Sequence, residues 1–159
     1  MDPLFEFALA VKALQREFER GSNELTKPLG LTGPQADALV VIGQAQPIAL
    51  KDLGRLLIAE AGHPSRLVDR LVEAGLVERR AAEDDRRRIE LTLTPAGRRL
   101  ARRVEKARQD LFDASRPQVD EKRIAAATDV LRQLLEGTPA GELITRRSTL
   151  AAGRPVAYE

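Results

Sequence analysis

Residues 76–97 read LVERRAAEDDRRRIELTLTPAG, and the fold turns on this stretch. Ile89-Glu-Leu-Thr-Leu93 alternates apolar and polar residues strictly, the pattern of a half-buried strand. Leu76-Val-Glu-Arg-Arg80 supplies a second strand, and the charged residues 81–88 between them predict the tip of a β-hairpin. Thr94-Pro95 then provides a capping hydroxyl followed by a proline, which together open a helix.

Upstream of the hairpin lie two short helical segments, at about 50–58 and 62–74. Leu53, Leu56 and Leu57 face inward from the first. Pro64, Leu67, Val68 and Leu71 share one side of the second, and Gly75 is its left-handed stop. Only Ala59-Glu-Ala-Gly62 separates them, which gives the pair helix-turn-helix proportions. Farther out, Thr32-Gly-Pro-Gln35 carries a capping box for a helix whose buried side includes Leu39, Val40 and Gly43. Residues 3–21 repeat Leu4, Phe7, Ala8, Val11, Leu14 and Phe18 at helical spacing, with Phe5 and Leu9 widening the stripe. Downstream, a helix from 95 to about 114 has the narrow seam Ala96, Leu100, Val104, Ala107 and Leu111, and Pro117 breaks it. A last helix starts from Asp120, with Val119 and Ile124 as a staple and Ala127, Leu131, Leu134 and Leu135 on one side. Residues 137–159 show no clear periodicity and are expected to be a loosely packed tail, or to lie against a neighbour.

Composition narrows the chemistry. The chain has 159 residues, 43% hydrophobic and 31% charged, which suits one globular domain. It has no cysteine, so thiol redox sensing, thiolate metal sites and disulfides are excluded. No apolar run is long enough to cross a bilayer, and MDPLFEF does not read as a signal peptide, so the expected location is cytoplasmic, away from membranes. The formal net charge of +2 says little, but its distribution says more. Between Ala61 and Arg103 there are eleven Arg against seven Asp and Glu, an excess of +4.

A helix with a buried leucine seam can lay its first turns in a DNA major groove. On the outward side of 62–74, Arg66 and Arg70 are candidate base readers, and Ser65 suits either a base or a phosphate. His63, at the edge of that face, is a further candidate contact or an ordinary solvated residue. The Arg-rich hairpin tip can reach an adjacent minor groove. There Asp85 is expected to hold the Arg87 guanidinium in a fork, while Arg86 or Arg88 meets backbone phosphate. The bland alternative is a wet helix and a solvated turn whose opposite charges cancel.

Three segments carry a family resemblance: Ser65-Arg-Leu-Val-Asp-Arg-Leu-Val-Glu-Ala-Gly-Leu-Val-Glu-Arg-Arg80, Asp84-Asp-Arg-Arg87, and Leu91-Thr-Leu-Thr-Pro-Ala-Gly97. The chain resembles the MarR family of winged helix-turn-helix regulators over roughly residues 3–136, most closely over 53–104. The resemblance implies a mainly α fold with a small β-hairpin wing. Residues 32–104 would form the DNA-binding lobe, and 1–31 with 105–136 the helices of a dimerisation lobe, leaving 137–159 as the tail. Asp85-Arg86-Arg87 falls at the offset from Leu93-Thr94 where the family has its wing Asp-x-Arg, so the wing-arginine role passes to Arg87 and the orienting role to Asp85. Recognition-helix roles pass to Ser65, Arg66 and Arg70. Two departures stand out: Ala49 where a Ser or Thr cap is usual, and Gly62-His63-Pro64 at the start of the recognition helix.

The resemblance further implies a homodimer on a palindromic operator, with half-sites about 34–36 Å apart, acting as a repressor. Release by a small aromatic or phenolic effector would follow the family. No cofactor or metal is implied, and the lack of cysteine argues against the peroxide-sensing branch. The main alternative is a winged-helix dimer that has lost DNA binding and serves as a ligand-binding or protein-interaction module. A metal-sensing winged regulator is disfavoured by a single His and no Cys. Catalysis by Glu83, Asp84 and Asp85 is disfavoured by their place at an exposed tip.

Overall fold

A computed structural model describes residues 1–58, 64–82, 85, 87–118, 120–154 and 156. Helix α1 spans Pro3–Thr26, and the Asp2 carboxylate caps it by accepting from the amides of Leu4 and Phe5 at 2.8 and 3.1 Å. It runs past the expected end at residue 21, because Gly21 faces open space and an exposed glycine costs a helix only about 1 kcal/mol. A 3-10 turn, Lys27–Leu29, and Gly30 at φ 72° redirect the chain into α2, Gly33–Ala45. Both arms of the Thr32–Gln35 capping box are made. Helix α2 is the centre of the molecule. Beyond Leu39 and Val40 it buries Ala36, Ala38, Val41 and Ile42, so it is covered on several sides rather than one.

Strand β1, Ile48–Ala49, was not legible in the sequence and makes the hairpin a three-stranded antiparallel sheet of order β1-β3-β2. Two residues cannot display alternation, and their pairing with Leu91 and Glu90 is a tertiary contact. The Gln46 side-chain oxygen reinforces it by accepting from the Leu93 amide at 2.7 Å. Helix α3, Leu50–Gly54, is shorter than expected, and no side chain caps it at Ala49. Helix α4 covers Pro64–Glu73 and ends on Gly75 at φ 67°. Strands β2, Val77–Ala81, and β3, Ile89–Leu93, pair from Val77↔Leu93 to Ala81↔Ile89.

Helix α5, Pro95–Ser115, begins at the base of the hairpin. The Thr94 hydroxyl donates to the Gly75 carbonyl at 2.8 Å and accepts from the Gly97 amide at 3.0 Å, tying α5 to the end of α4. One face of α5 packs on α2 through Leu100, Ala101 and Val104. Helix α6 spans Glu121–Leu134 and starts from Asp120 as expected. The expected staple involves Val119, which lies outside the described residues.

The tail expectation is corrected. Residues Pro139–Ala151 form a seventh helix, α7, whose Leu150 packs against the core. Thr138-Pro-Ala-Gly141 repeats Thr94-Pro-Ala-Gly97, and the Thr138 hydroxyl accepts from the Gly141 amide at 3.2 Å as Thr94 does from Gly97. The same local chemistry starts both helices. Among the described residues, no helix is long and apolar enough to cross a membrane.

Candidate nucleic-acid interface

Helix α4 is held from behind and free in front. Val68 and Leu71 are fully buried against the core, with Leu67 and Val72 packed beside them. Arg66, Arg70 and Glu73, four and three residues apart, therefore share the outward face and are exposed. Ser65 is half-buried at its first turn. Gly62 and His63 lie outside the described residues.

Asp69, on the same side, bonds to Arg79 of β2, an ion pair between half-exposed side chains that ties α4 to the wing. This brace was missed in the sequence. Both residues looked like ordinary surface charges, and only the packing of α4 against β2 makes them neighbours.

The hairpin tip is built by Asp85, in a way that corrects one expectation. Its carboxylate accepts from the backbone amide of Arg87 at 2.9 Å, and its carbonyl accepts from the Arg88 amide at 2.9 Å. Ala82 N–H donates to the Arg88 carbonyl at 2.8 Å and closes the loop. Asp85 thus shapes the turn rather than forking the Arg87 guanidinium, because an Asp side chain two residues before an amide naturally folds back on it. Arg86, a sequence candidate, lies outside the described residues.

The ion pairs sort the remaining arginines. Arg79 is paired with Asp69, Arg80 with Glu78, and Arg88 with Glu90 at 3.0 Å. Arg88 therefore has a carboxylate to leave before it can meet a phosphate. Arg66, Arg70 and Arg87 are exposed and make no hydrogen bond or ion pair with a described residue through their guanidinium groups. Three cations with no bond to a described residue through their guanidinium groups thus project from α4 and the wing, beside Glu73 and Asp85, neither of which is ion-paired with a described residue. Helix, three-stranded sheet and outward cations together define a winged helix-turn-helix. The described residues contain no cluster of His, Cys, Asp and Glu that could hold a metal ion.

Comparison with known proteins agrees with that class. Residues 31–97 match the family described as "Winged helix DNA-binding domain". The organic hydroperoxide resistance transcriptional regulator of Bacillus subtilis is 28% identical over 85 residues, which are 54% of this chain. The match spans 58% of that regulator's own length. The multiple antibiotic resistance protein MarR of Escherichia coli is 27% identical over 126 residues, covering 79% of this chain and 88% of MarR. A crystal structure of a mutant E. coli MarR complexed with operator DNA superposes with a TM-score of 0.72 at 26% identity, over 83% of this chain and 95% of that one. The chain is thus similar to MarR regulators in both sequence and fold, and its residues 31–97 carry the winged-helix match.

Proposed function

We propose that the protein is a sequence-specific, double-stranded-DNA-binding transcriptional regulator that works as a homodimer. The observation that carries this reading is the set of three exposed guanidinium groups that bond to no described residue, Arg66 and Arg70 on α4 and Arg87 on the wing. Arginine is the commonest partner of guanine edges in the major groove, and an exposed wing arginine suits a narrow minor groove. In this reading Ser65 at the first turn of α4 contacts base or phosphate, and His63 and Arg86 are further DNA contacts. Arg88 adds a phosphate contact once it exchanges Glu90 for the backbone.

Exposed apolar surface supports the dimer. On α1, Leu4, Phe5, Leu9, Leu14 and Phe18 are all more than half exposed, and Thr26 is the one residue of that helix that is buried. No residue of α6 is buried, and Ile124 and Leu134 stand out from it. A second copy would cover these faces, making residues 1–31 and 105–136 the dimerisation lobe and 32–104 the DNA-binding lobe. Symmetry then gives a palindromic operator. Repression, with release by a small aromatic or phenolic effector, is the mode the family suggests. The redox chemistry of a peroxide sensor does not extend to this chain, which has no cysteine.

The test is a fluorescence-anisotropy titration against duplexes from the gene's own upstream region, at several salt concentrations. Wild-type affinity is expected to fall steeply with salt as phosphate contacts release counterions. Arg66→Ala is expected to cost about 1–3 kcal/mol and to relax preference at one base position. Arg87→Ala is expected to weaken binding while leaving the dimer folded. Binding unchanged in both variants, or no salt-sensitive binding in wild type, would turn the reading towards a winged-helix dimer that has lost DNA binding.

A further inference from the structure

Asp37, on α2, is gripped from two sides. Arg147 of α7 donates to both of its carboxylate oxygens, Nη2 to Oδ1 at 3.0 Å and Nη1 to Oδ2 at 3.3 Å. Arg108 of α5 donates to Oδ1 at 3.3 Å. All three side chains are about three-quarters buried, at 22–27% exposure, far drier than a surface pair such as Arg20–Glu17. Arg147 does one thing more. Its Nη1 also donates to the carbonyl of Leu56 at 3.3 Å, just past α3 and at the entrance to the helix-turn-helix turn. One guanidinium therefore joins the C-terminal helix to α2 and to the segment that leads into α4.

The position of α7 is itself tightly determined. Gly137, at φ 71°, reverses the chain after α6. A Cβ on Gly141 would come within 2.2 Å of the Leu135 carbonyl oxygen, so the start of α7 sits directly against the end of α6. At its far end Leu150 packs on the core. Helix α7 thus runs from the α6 arm to the winged lobe, a second connection beside α5. Arg66 and Arg70 stay exposed with α7 docked, so it does not cover the reading face.

We propose that α7 is a strap between the α5–α6 arm and the helix-turn-helix, and that Arg147 is the positioning residue through which it sets the presentation of α4 to DNA. This rests on the DNA-binding reading above. Dimeric recognition needs two α4 helices at a defined separation, so restricting the lobe beforehand removes ordering cost at the moment of binding. A forked guanidinium suits this task because its two parallel bonds fix orientation as well as distance.

The experiment uses the full-length chain carrying Arg147→Met, which keeps the stem and removes the fork, and Arg147→Lys, which keeps the charge but cannot span both acceptors. Hydrogen exchange in the DNA-free protein, dimer state by ultracentrifugation, and affinity and salt slope for a duplex selected by wild type are measured together. Arg147→Met should remain a folded dimer, exchange about tenfold faster over residues 50–57, and bind about 5–30-fold more weakly with the salt slope unchanged, since no phosphate contact is lost. Arg147→Lys should fall between the two, and it replaces Arg147→Met if that variant fails to fold. Affinity within twofold of wild type would overturn the strap, whatever happens to exchange. A wild type that binds no duplex would sink the DNA-binding reading instead. In that case exchange over 50–57 decides alone: faster exchange supports the strap, and unchanged exchange refutes it.

Discussion

Gly97→Ala probes the joint on which the winged lobe is assembled. A Cβ placed on Gly97 lies 2.0 Å from the carbonyl oxygen of Leu76 and 3.0 Å from its carbonyl carbon. A carbon–oxygen contact settles at about 3.3 Å or more, so the backbones must separate by roughly 1.3 Å. Neither side yields easily. Leu76 leads straight into β2, and its carbonyl accepts from the Thr94 amide at 3.1 Å and shares the Thr94 hydroxyl, at 3.3 Å, with the Gly75 carbonyl. Overpacking of this kind costs about 1–3 kcal/mol, and the two strained hydrogen bonds add about 1 kcal/mol each. Alanine returns about 1 kcal/mol through helix propensity, leaving a net loss of about 2–4 kcal/mol. For a chain of this size that is a fall in Tm of about 5–15 °C. The assay is thermal unfolding by far-UV circular dichroism at one protein concentration, because dimer melting depends on concentration. Gly21→Ala is the control: nothing lies within 4 Å of its added Cβ, so the same change there should raise Tm slightly. A Gly97→Ala protein that melts within about 2 °C of wild type would refute the reasoning, since a shift that small corresponds to at most about 1 kcal/mol.

Two further outcomes follow from the site and the exposed helices. Phe5→Glu with Phe18→Glu, both on the exposed stripe of α1, should drive sedimentation from dimer to monomer while leaving helix content largely intact. An unchanged dimer would place the interface elsewhere. At the wing tip, Asp85→Asn should bind DNA nearly as wild type does, because an amide oxygen can still accept from the Arg87 N–H, whereas Asp85→Ala should bind more weakly. If Asn fails as badly as Ala, the charge of Asp85 matters and the carboxylate does more than shape the turn.

What the sequence revealed and what it hid divide along a physical line. Signals made by neighbours in the chain were readable: the Thr32–Gln35 box, the Thr94-Pro95 cap, Gly75 at positive φ, and β2 and β3 around a charged tip. Each depends on a hydroxyl, a ring or a missing Cβ acting within a few residues. Features made by distant partners were not readable. Strand β1 exists because Ile48 meets Leu91. The Asp69–Arg79 brace exists because α4 packs on β2. Helix α7 is the instructive case. Its amphipathic pattern is weak because arginines sit among its half-buried Leu143, Ile144 and Leu150, one of them forking Asp37, yet its cap was present as a second Thr-Pro-Ala-Gly. At the candidate site, spacing picked out Asp85 and Arg87 but could not say which atom of Arg87 the carboxylate meets. Arg66 and Arg70 were legible because Leu67, Val68 and Leu71 orient the helix that carries them.

The central claim is that two copies present paired recognition helices and wings to one duplex. Selection of bound sequences from a random duplex library, using the purified full-length protein, tests it most directly. Enrichment is expected of an inverted repeat whose half-site centres lie about one helical turn, roughly 10 base pairs, apart. Recovery of a single unpaired half-site, or of no enriched sequence at low salt, would contradict it.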